Sequence, residues 1–481
     1  MIELTVRLEA NINLITEQLG NSSDICIRRM EPGDGPKAAI VFLMSLIDQT
    51  LVDQFVIQET NHWNSLSVSV QHTVNSVEEA AEQLLQGYSL VLVDGEAMAI
   101  AAATNGGDRR SVSEPSAESV VRGPREAFNE SMQTNIGLVR RRLVTPKLRI
   151  IKLSLGAVTN TAVSFMYLDG IAKPQIVAEV KRRLESIQID GILESQYIEE
   201  MIEDRGNGYT PFPTIFNTER PDRVAAALLE GQVAVLMEGT PVALVLPATI
   251  SAFLYSNEDY YQRFDIASFL KLLRTLTFLI SFLLPGFYVS LLTFHQEMIP
   301  SPLLIALTGQ REGVPFGIAI EVFLMEMTFE ILREAGIRLP KTIGSAVSIV
   351  GGLVLGQAAV EAGLVAPGTV IAVSATAISS FCTPSYNMAI AARLIRFLLI
   401  FLSALLGAFG LFFGLILLVI HLNSIRSVGV PYLSPIVPFH WKSWRDLFIR
   451  VPWWAMKQRP EETAVDQQRM PVGAGSGKSK R

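Results

Sequence analysis

Apolar positions fall into three patterns along the chain. In the first twenty residues Leu4, Leu8, Ile12, Ile15 and Leu19 recur at helical spacing. That spacing predicts an amphipathic helix, within residues 1–29, packed on the domain next in the chain. The basic-then-apolar order of a signal peptide is absent there. From about residue 30 to 265, short apolar runs of strand length alternate with helical patterns. From Phe269 to Leu422 the runs lengthen until they suit a bilayer.

The middle pattern contains a repeat. Leu84-Leu85-Gln86-Gly87 leads into Leu90-Val91-Leu92-Val93 and then Asp94-Gly95; Leu228-Leu229-Glu230-Gly231 leads into Val233–Met237 and then Glu238-Gly239. Each reads as a helix end, a glycine cap, a buried strand and a tight turn into a second strand. A strand-then-helix unit precedes each copy: Ala38 to Leu43 before a helical pattern through Ile57, and Ala162 to Tyr167 before a helix from Pro174 to Ile187. The pattern predicts an α/β head of two duplicated subdomains, 30–148 and 149–265, with an Arg-rich linker from Arg109 to Thr145. A duplication of this kind is more often scaffold than active site.

The long runs predict an all-α transmembrane domain over 266–422. Thr275 to His295 is long enough to span a bilayer. Ile343 to Gly363 carries Gly344, Ser348, Gly352 and Gly356 every four residues, a stripe that lets helix backbones approach. Thr369 to Thr383 is rich in Ser and Thr, and Phe397 to Leu422 suits a lipid-facing position. Pro315 to Arg338 is harder to place. Glu326, Glu330 and Glu334 share one helical face, with Glu321 nearby, and four carboxylates facing lipid are costly. This helix is expected to be interfacial or re-entrant, or else to turn its acidic face to water. Four spans place the basic tail on the side of the head, as the positive-inside rule prefers, but leave Arg393 and Arg396 on the far side. A basic, aromatic juxtamembrane segment (423–457) and a disordered tail (458–481) complete the chain.

Composition adds little chemistry. Lys and Arg number 40 against 46 Asp and Glu, a net charge of −6, with no basic stripe for nucleic acid. Cys26 and Cys382 lie in different halves and are not expected to pair. The five histidines show no metal-ligand spacing, and neither a phosphate-binding loop nor a nucleophile elbow is present. No catalytic residue, metal or cofactor is expected. Arg122, Arg125, Arg140, Arg141 and Arg142 are candidates for contact between subunits or with lipid headgroups; the alternative is a solvated segment clamped between the subdomains by ion pairs.

One resemblance is specific. Val121-Arg122-Gly123-Pro124-Arg125-Glu126-Ala127-Phe128, Pro211-Phe212-Pro213, Thr218-Glu219-Arg220-Pro221-Asp222, Leu332 to Pro340 and Gly356-Gln357-Ala358-Ala359-Val360-Glu361-Ala362 resemble the A subunit of spore germinant receptors, the GerA family. The resemblance extends from about residue 30 to 455. It implies a role in nutrient-triggered germination, in a complex in the spore inner membrane with a permease-like B subunit and a lipoprotein C subunit, the head facing the spore core. It further implies a homo-oligomer, pentameric, whose membrane helices form an ion channel. The two polar helices are then the candidates for the pore wall, with Gln357, Val360 and Glu361 near its axis and Ser374 and Thr376 beside them. A paralogue, stage V sporulation protein AF, shares this architecture. A non-conducting scaffold and an enzyme with a site between the subdomains are the competing readings.

Overall fold

The computed structural model of the chain describes residues 2–30, 36–53, 71–106, 115, 118, 120–204, 206, 208–340, 352, 354–438 and 446–469. The head holds two antiparallel five-stranded sheets. The first has the order β1 (Ile25–Met30), β2 (Ala38–Leu43), β4 (Ser89–Val93), β5 (Ala99–Ala102), β3 (Gln71–Val74). The second has β6 (Leu148–Leu155), β7 (Thr161–Leu168), β9 (Val233–Met237), β10 (Ala243–Leu246), β8 (Phe216–Thr218). Counted within each sheet, the strand order is the same.

The inner strands β2, β4, β9 and β10 read as nearly unbroken apolar runs because both faces are covered. In β9, Val233, Val235 and Met237 join one core with α4 (Pro174–Glu185) and α5 (Ser195–Ile202). Ala234 and Leu236 join another with α3 (Met132–Arg142) and α6 (Pro221–Leu229). Antiparallel strands usually alternate apolar and polar positions, and a second helical layer removes that alternation. On the first sheet, α1 (Leu8–Gln18) supplies Leu8, Ile12 and Ile15 against Val77, Ala80 and Leu84 of α2 (Val77–Leu85). The amphipathic N-terminal helix is therefore core. Gly87 and Gly231 end α2 and α6 at φ +88 and +83, where a side chain would be strained.

The helical half runs through α7 (Phe264–Phe294), α8 (Ser301–Gly309), α9 (Ile318–Arg338), α10 (354–361), α11 (Pro367–Phe381) and α12 (Tyr386–Ser424). Two of these, α7 and α12, are long and apolar enough to cross a membrane. Gly344 and Ser348 of the small-residue stripe lie outside the described residues. Gly356 faces Val370 of α11, where an added Cβ would sit 3.5 Å from Cγ1, and Gly352 faces Phe329 of α9 at 3.8 Å.

The single span expected over 397–422 is corrected. α12 breaks at Gly407, with φ 60 and ψ −142. A Cβ on Gly410 would lie 2.1 Å from the carbonyl oxygen of Leu402. Eight residues of straight helix would separate them by roughly 12 Å, so the chain must reverse. A Cβ on Gly414 likewise meets the side chains of Leu399 and Leu402. α12 is a helical hairpin, and its turn packs on the end of α7: Gly407 against Phe294, and Ala408 N donating to His295 Nε2 at 3.2 Å. Gly286 fits between Ser403 and Leu411, one from each arm.

After the hairpin the chain returns to the head. Ile250 N donates to Tyr432 O, and Ser427 Oγ donates to Thr214 O at 2.6 Å. Residues 458–469, at the start of the tail expected to be disordered, lie against the second subdomain. Lys173 N donates to Thr463 O, Val465 N donates to Ile171 O, and Thr463 Oγ1 donates to Glu230 O. These bonds use mainly backbone, which is why a polar composition concealed them. Lys271, near the start of α7, is buried with its Nζ 2.9 Å from Asp446 O and over the rings of Tyr255 and Tyr260. Cys26 and Cys382 are free thiols. Trp453 and Trp454 are exposed, while Trp441 and Trp444 fall outside the described residues.

Candidate functional site: a charged network within the helical bundle

The four glutamates of α9 do not behave alike. Glu326 and Glu330 are one helical turn apart, and so are Arg393 and Arg396 on the first arm of α12. The helices run antiparallel, which matches the pairs. Glu326 Oε2 lies 2.9 Å from Arg396 Nη1, with both side chains almost fully buried. Glu330 lies 2.8 Å from Arg393 Nη1 and 3.0 Å from Arg396 Nη2. These carboxylates meet guanidiniums inside one chain, which corrects the expectation of a shared acidic face at an interface or on water. The same contacts remove the difficulty of two arginines in an apolar run. Glu334 is exposed and pairs with Arg338 one turn on, at 2.6 Å.

The other charges of α9 hold α11. Glu321 is fully buried, lies 2.6 Å from Arg311, and accepts from Ala366 N and Thr369 Oγ1, both at 3.1 Å. That is an anion at the N-terminus of α11, where free N–H groups favour it. Arg333 Nη2 donates to Ser380 Oγ at 2.7 Å, and its guanidinium lies 5.1 Å from the centre of the Phe381 ring. That is a cation at the C-terminus of the same helix, again the favourable sign. α9 thus brackets both ends of α11 with complementary charge.

The pore candidates separate. Gln357 and Glu361 are exposed on α10, Gln357 Nε2 donating to Glu361 Oε1 at 2.8 Å. Val360 and, on α11, Ser374 are half-buried. Thr376 is fully buried and donates to Ala372 O, so it does not reach the surface as a pore residue would.

The arginines of the head separate too. Arg140 is buried, with Nε donating to Asp24 Oδ2 and Nη2 to Asp24 Oδ1 and Ser22 Oγ. Buried and engaged through Nε and Nη2 inside its own chain, it is a clamp between the linker helix and the first subdomain and not a subunit contact. Burial alone would raise the Asp24 carboxyl, but Arg140 and Ser22 outweigh it and hold it below the usual range. Arg141 donates to Gly106 O, and Arg142 pairs with Glu126. Arg122 and Arg125 are exposed. A second clamp escaped the sequence reading: Arg220, buried, pairs with Asp222 at 2.9 Å and donates to the carbonyls of Glu118 and Pro124 in the linker. Its signal lay in the string Thr218 to Asp222, one of those that carry the family resemblance.

The chain thus joins a head of two sheets to a charge-bracketed helical bundle, two of whose helices are long and apolar enough to cross a membrane. The chain matches the Bacillus/Clostridium GerA spore germination protein family over residues 13–462 and belongs to that family. Spore germination protein KA of Bacillus subtilis (strain 168) is 46% identical over 475 residues, covering 95% of this chain and 87% of that protein. Spore germination protein GerLA of Bacillus cereus is 38% identical, covering 96% of each. The uncharacterized membrane protein YfkQ of Bacillus subtilis (strain 168) is 42% identical, covering 94% of this chain and 89% of that one. Among solved structures, the crystal structure of the N-terminal domain of the A subunit of the Bacillus megaterium spore germinant receptor GerK3 is similar at 36% identity. It covers 52% of this chain and 97% of that one, with a TM-score of 0.40.

Proposed function

We propose that this chain is the A subunit of a nutrient germinant receptor of the spore inner membrane, its head on the core side, and that copies of it assemble, as a pentamer, into an ion channel. A permease-like B subunit and a lipoprotein C subunit complete the receptor. On this reading the protein acts by assembly and conduction, not by catalysis. The observation that carries this reading is the Gln357–Glu361 pair. Glu321, Glu326 and Glu330 are neutralised within the chain, whereas this polar pair stays exposed beside apolar Val354 and Leu355. Lipid is a poor environment for it, and water or a second copy is a good one.

Two further points support the arrangement. The segment before α7 and the segment after α12 both pack on the second subdomain, which requires an even number of crossings. The relative directions favour six. α7 leaves the head, α9 runs antiparallel to the first arm of α12, α11 runs parallel to α9 with α10 as the return between them, and the hairpin contributes two. The matching strand orders support a duplicated head.

Purified chain in planar bilayers tests the proposal. Conductance is expected, and it should fall with Glu361→Gln and close with Val360→Trp. Silent bilayers containing folded, inserted protein would favour a scaffold. A current unaltered by both substitutions would move the pore elsewhere.

A further inference from the structure

The residues between α5 and β8 form a joint between the head and the end of the membrane bundle. Thr210 Oγ1 and His421 Nε2, near the end of α12, share a hydrogen bond at 2.8 Å. Phe212, buried, packs beside the rings of His421 and Tyr432. Thr214 O accepts from Ser427 Oγ, Ser427 Oγ accepts from Ala248 N, and Asp204 Oδ2 accepts from Gly429 N. The Pro211-Phe212-Pro213 string is thus the buckle of this joint, a role that the proposed channel does not use.

The joint is fastened to an acidic helix. Thr214 Oγ1 donates to Glu203 Oε1 at 2.8 Å. Glu203 lies one turn from Glu199 of α5, which is 6% exposed. The charges acting on Glu199 are carboxylates, Glu203 first and Glu194 after it, and its hydrogen-bond partner is neutral Asn217 of β8. Glu194 is engaged by Ser195 and by Thr240, next to β10. From α4, Arg183 is occupied by Glu179 and Asp204. Burial, with Glu203 adding to it, pushes the Glu199 carboxyl up to about 8, and burial raises Glu203 as well.

We propose that this joint is a proton-sensitive coupling between the head and the last membrane helix: with Glu199 protonated the joint is closed, and loss of that proton opens it. A charged Glu199 would face Glu203 on the same helical face, with no cation beside it among the described residues. Turning Glu203 outward relieves the repulsion and takes the Thr214 hydroxyl bond with it. Thr214 is the residue whose carbonyl holds Ser427, so the loss is passed to the chain leaving α12. Such coupling lies within one chain and stands whether or not the chain conducts ions.

Hydrogen exchange read by mass spectrometry on the full chain in lipid nanodiscs tests it, on peptides spanning 195–218 and 421–432, corrected for intrinsic base catalysis. In the wild type, opening of both peptides should rise on the order of tenfold per pH unit from about pH 6 to about pH 8 and flatten above it. Glu199→Gln should hold both peptides at their low-pH protection throughout. An unchanged pH dependence in Glu199→Gln, or none in the wild type, overturns the proposal. Should Glu199→Gln lose protection over the whole head, Glu203→Gln decides. It keeps an acceptor for Thr214 and should blunt the rise, and an undiminished rise there overturns the coupling. Thr214→Val should open the 421–432 peptide at every pH while leaving the pH dependence of 195–202 in place. Equal protection of 421–432 in Thr214→Val and wild type would show that the joint does not run through this residue.

Discussion

Arg396→Met is the most informative single change in the helical bundle. Arg396 is 2% exposed as a side chain and sits between Glu326 at 2.9 Å and Glu330 at 3.0 Å. Methionine approximates its length and packs adaptably. The substitution strands Glu326, while Glu330 keeps Arg393 at 2.8 Å. Removing one partner of a buried pair costs about 3–5 kcal/mol, because a charge is left uncompensated in low dielectric. Glu326→Met should cost less, about 1–3 kcal/mol, since Arg396 retains Glu330. The double variant leaves Glu330 with Arg393 at 2.8 Å and Arg333 at 3.7 Å, and replacing a whole buried pair by apolar groups is often neutral. It should therefore be more stable than Arg396→Met alone, with a coupling energy of about 2–4 kcal/mol across the cycle. Thermal unfolding of the purified chain in nanodiscs, followed by circular dichroism at fixed protein concentration, reads the ranking. If Arg396→Met lies within about 1 kcal/mol of wild type, or the double variant is no better than it, the charges are screened by water. α9 would then line an aqueous face, one of the two placements its sequence alone left open, and buried charge would not be what holds the bundle.

Two other perturbations test separate parts of the fold. Gly407→Ala should destabilise the bundle by about 1–3 kcal/mol in the same melting experiment, because the turn needs positive φ and an added Cβ would lie 2.9 Å from Phe294. A melting temperature equal to wild type would mean that the hairpin turn is not at this residue. The Arg140–Asp24 clamp predicts acid sensitivity of the head: its carboxyl is held low when folded, so the stabilisation is full above the unfolded value of about 3.9 and is lost as pH falls through the folded value. Asp24→Asn should remove that part of the acid transition, with exchange protection at 22–28 as the readout; an identical transition in the variant would show that the clamp does not titrate.

Much of the head was legible because its strands are buried on both faces. Leu90 to Val93 and Val233 to Met237 are unbroken runs bounded by glycine, and the repeat is visible as spacing alone. The two clamps were not legible, because Arg140 meets Asp24 across more than a hundred residues and no local pattern encodes that contact. The hairpin of α12 was hidden for a different reason. A helix apolar all round carries no periodicity to interrupt, and Gly407 is one glycine among Gly410 and Gly414, so neither composition nor moment marks the reversal. What marks it is contact between residues that a straight helix would keep far apart.

The charges of α9 and α12 were legible in part, and the unused information lay in their spacing. A carboxylate in an apolar run and a guanidinium in another are each costly alone, so the cheapest arrangement pairs them. Glu326 and Glu330 at one turn can pair with Arg393 and Arg396 at one turn in either orientation, and the partners taken, Glu326 with Arg396 and Glu330 with Arg393, set α9 antiparallel to the first arm of α12. Arg333 is then a third cation for two carboxylates. A surplus charge is favoured at the negative end of a helix dipole, and the C-terminus of α11 supplies one: Arg333 donates to the Ser380 hydroxyl there, while Glu321 holds the opposite end of that helix. The direction and height of α11, which carries Ser374, are therefore set by α9 through charge. Any movement of α9 must either carry α11 with it or expose a buried ion, and the first is the less costly.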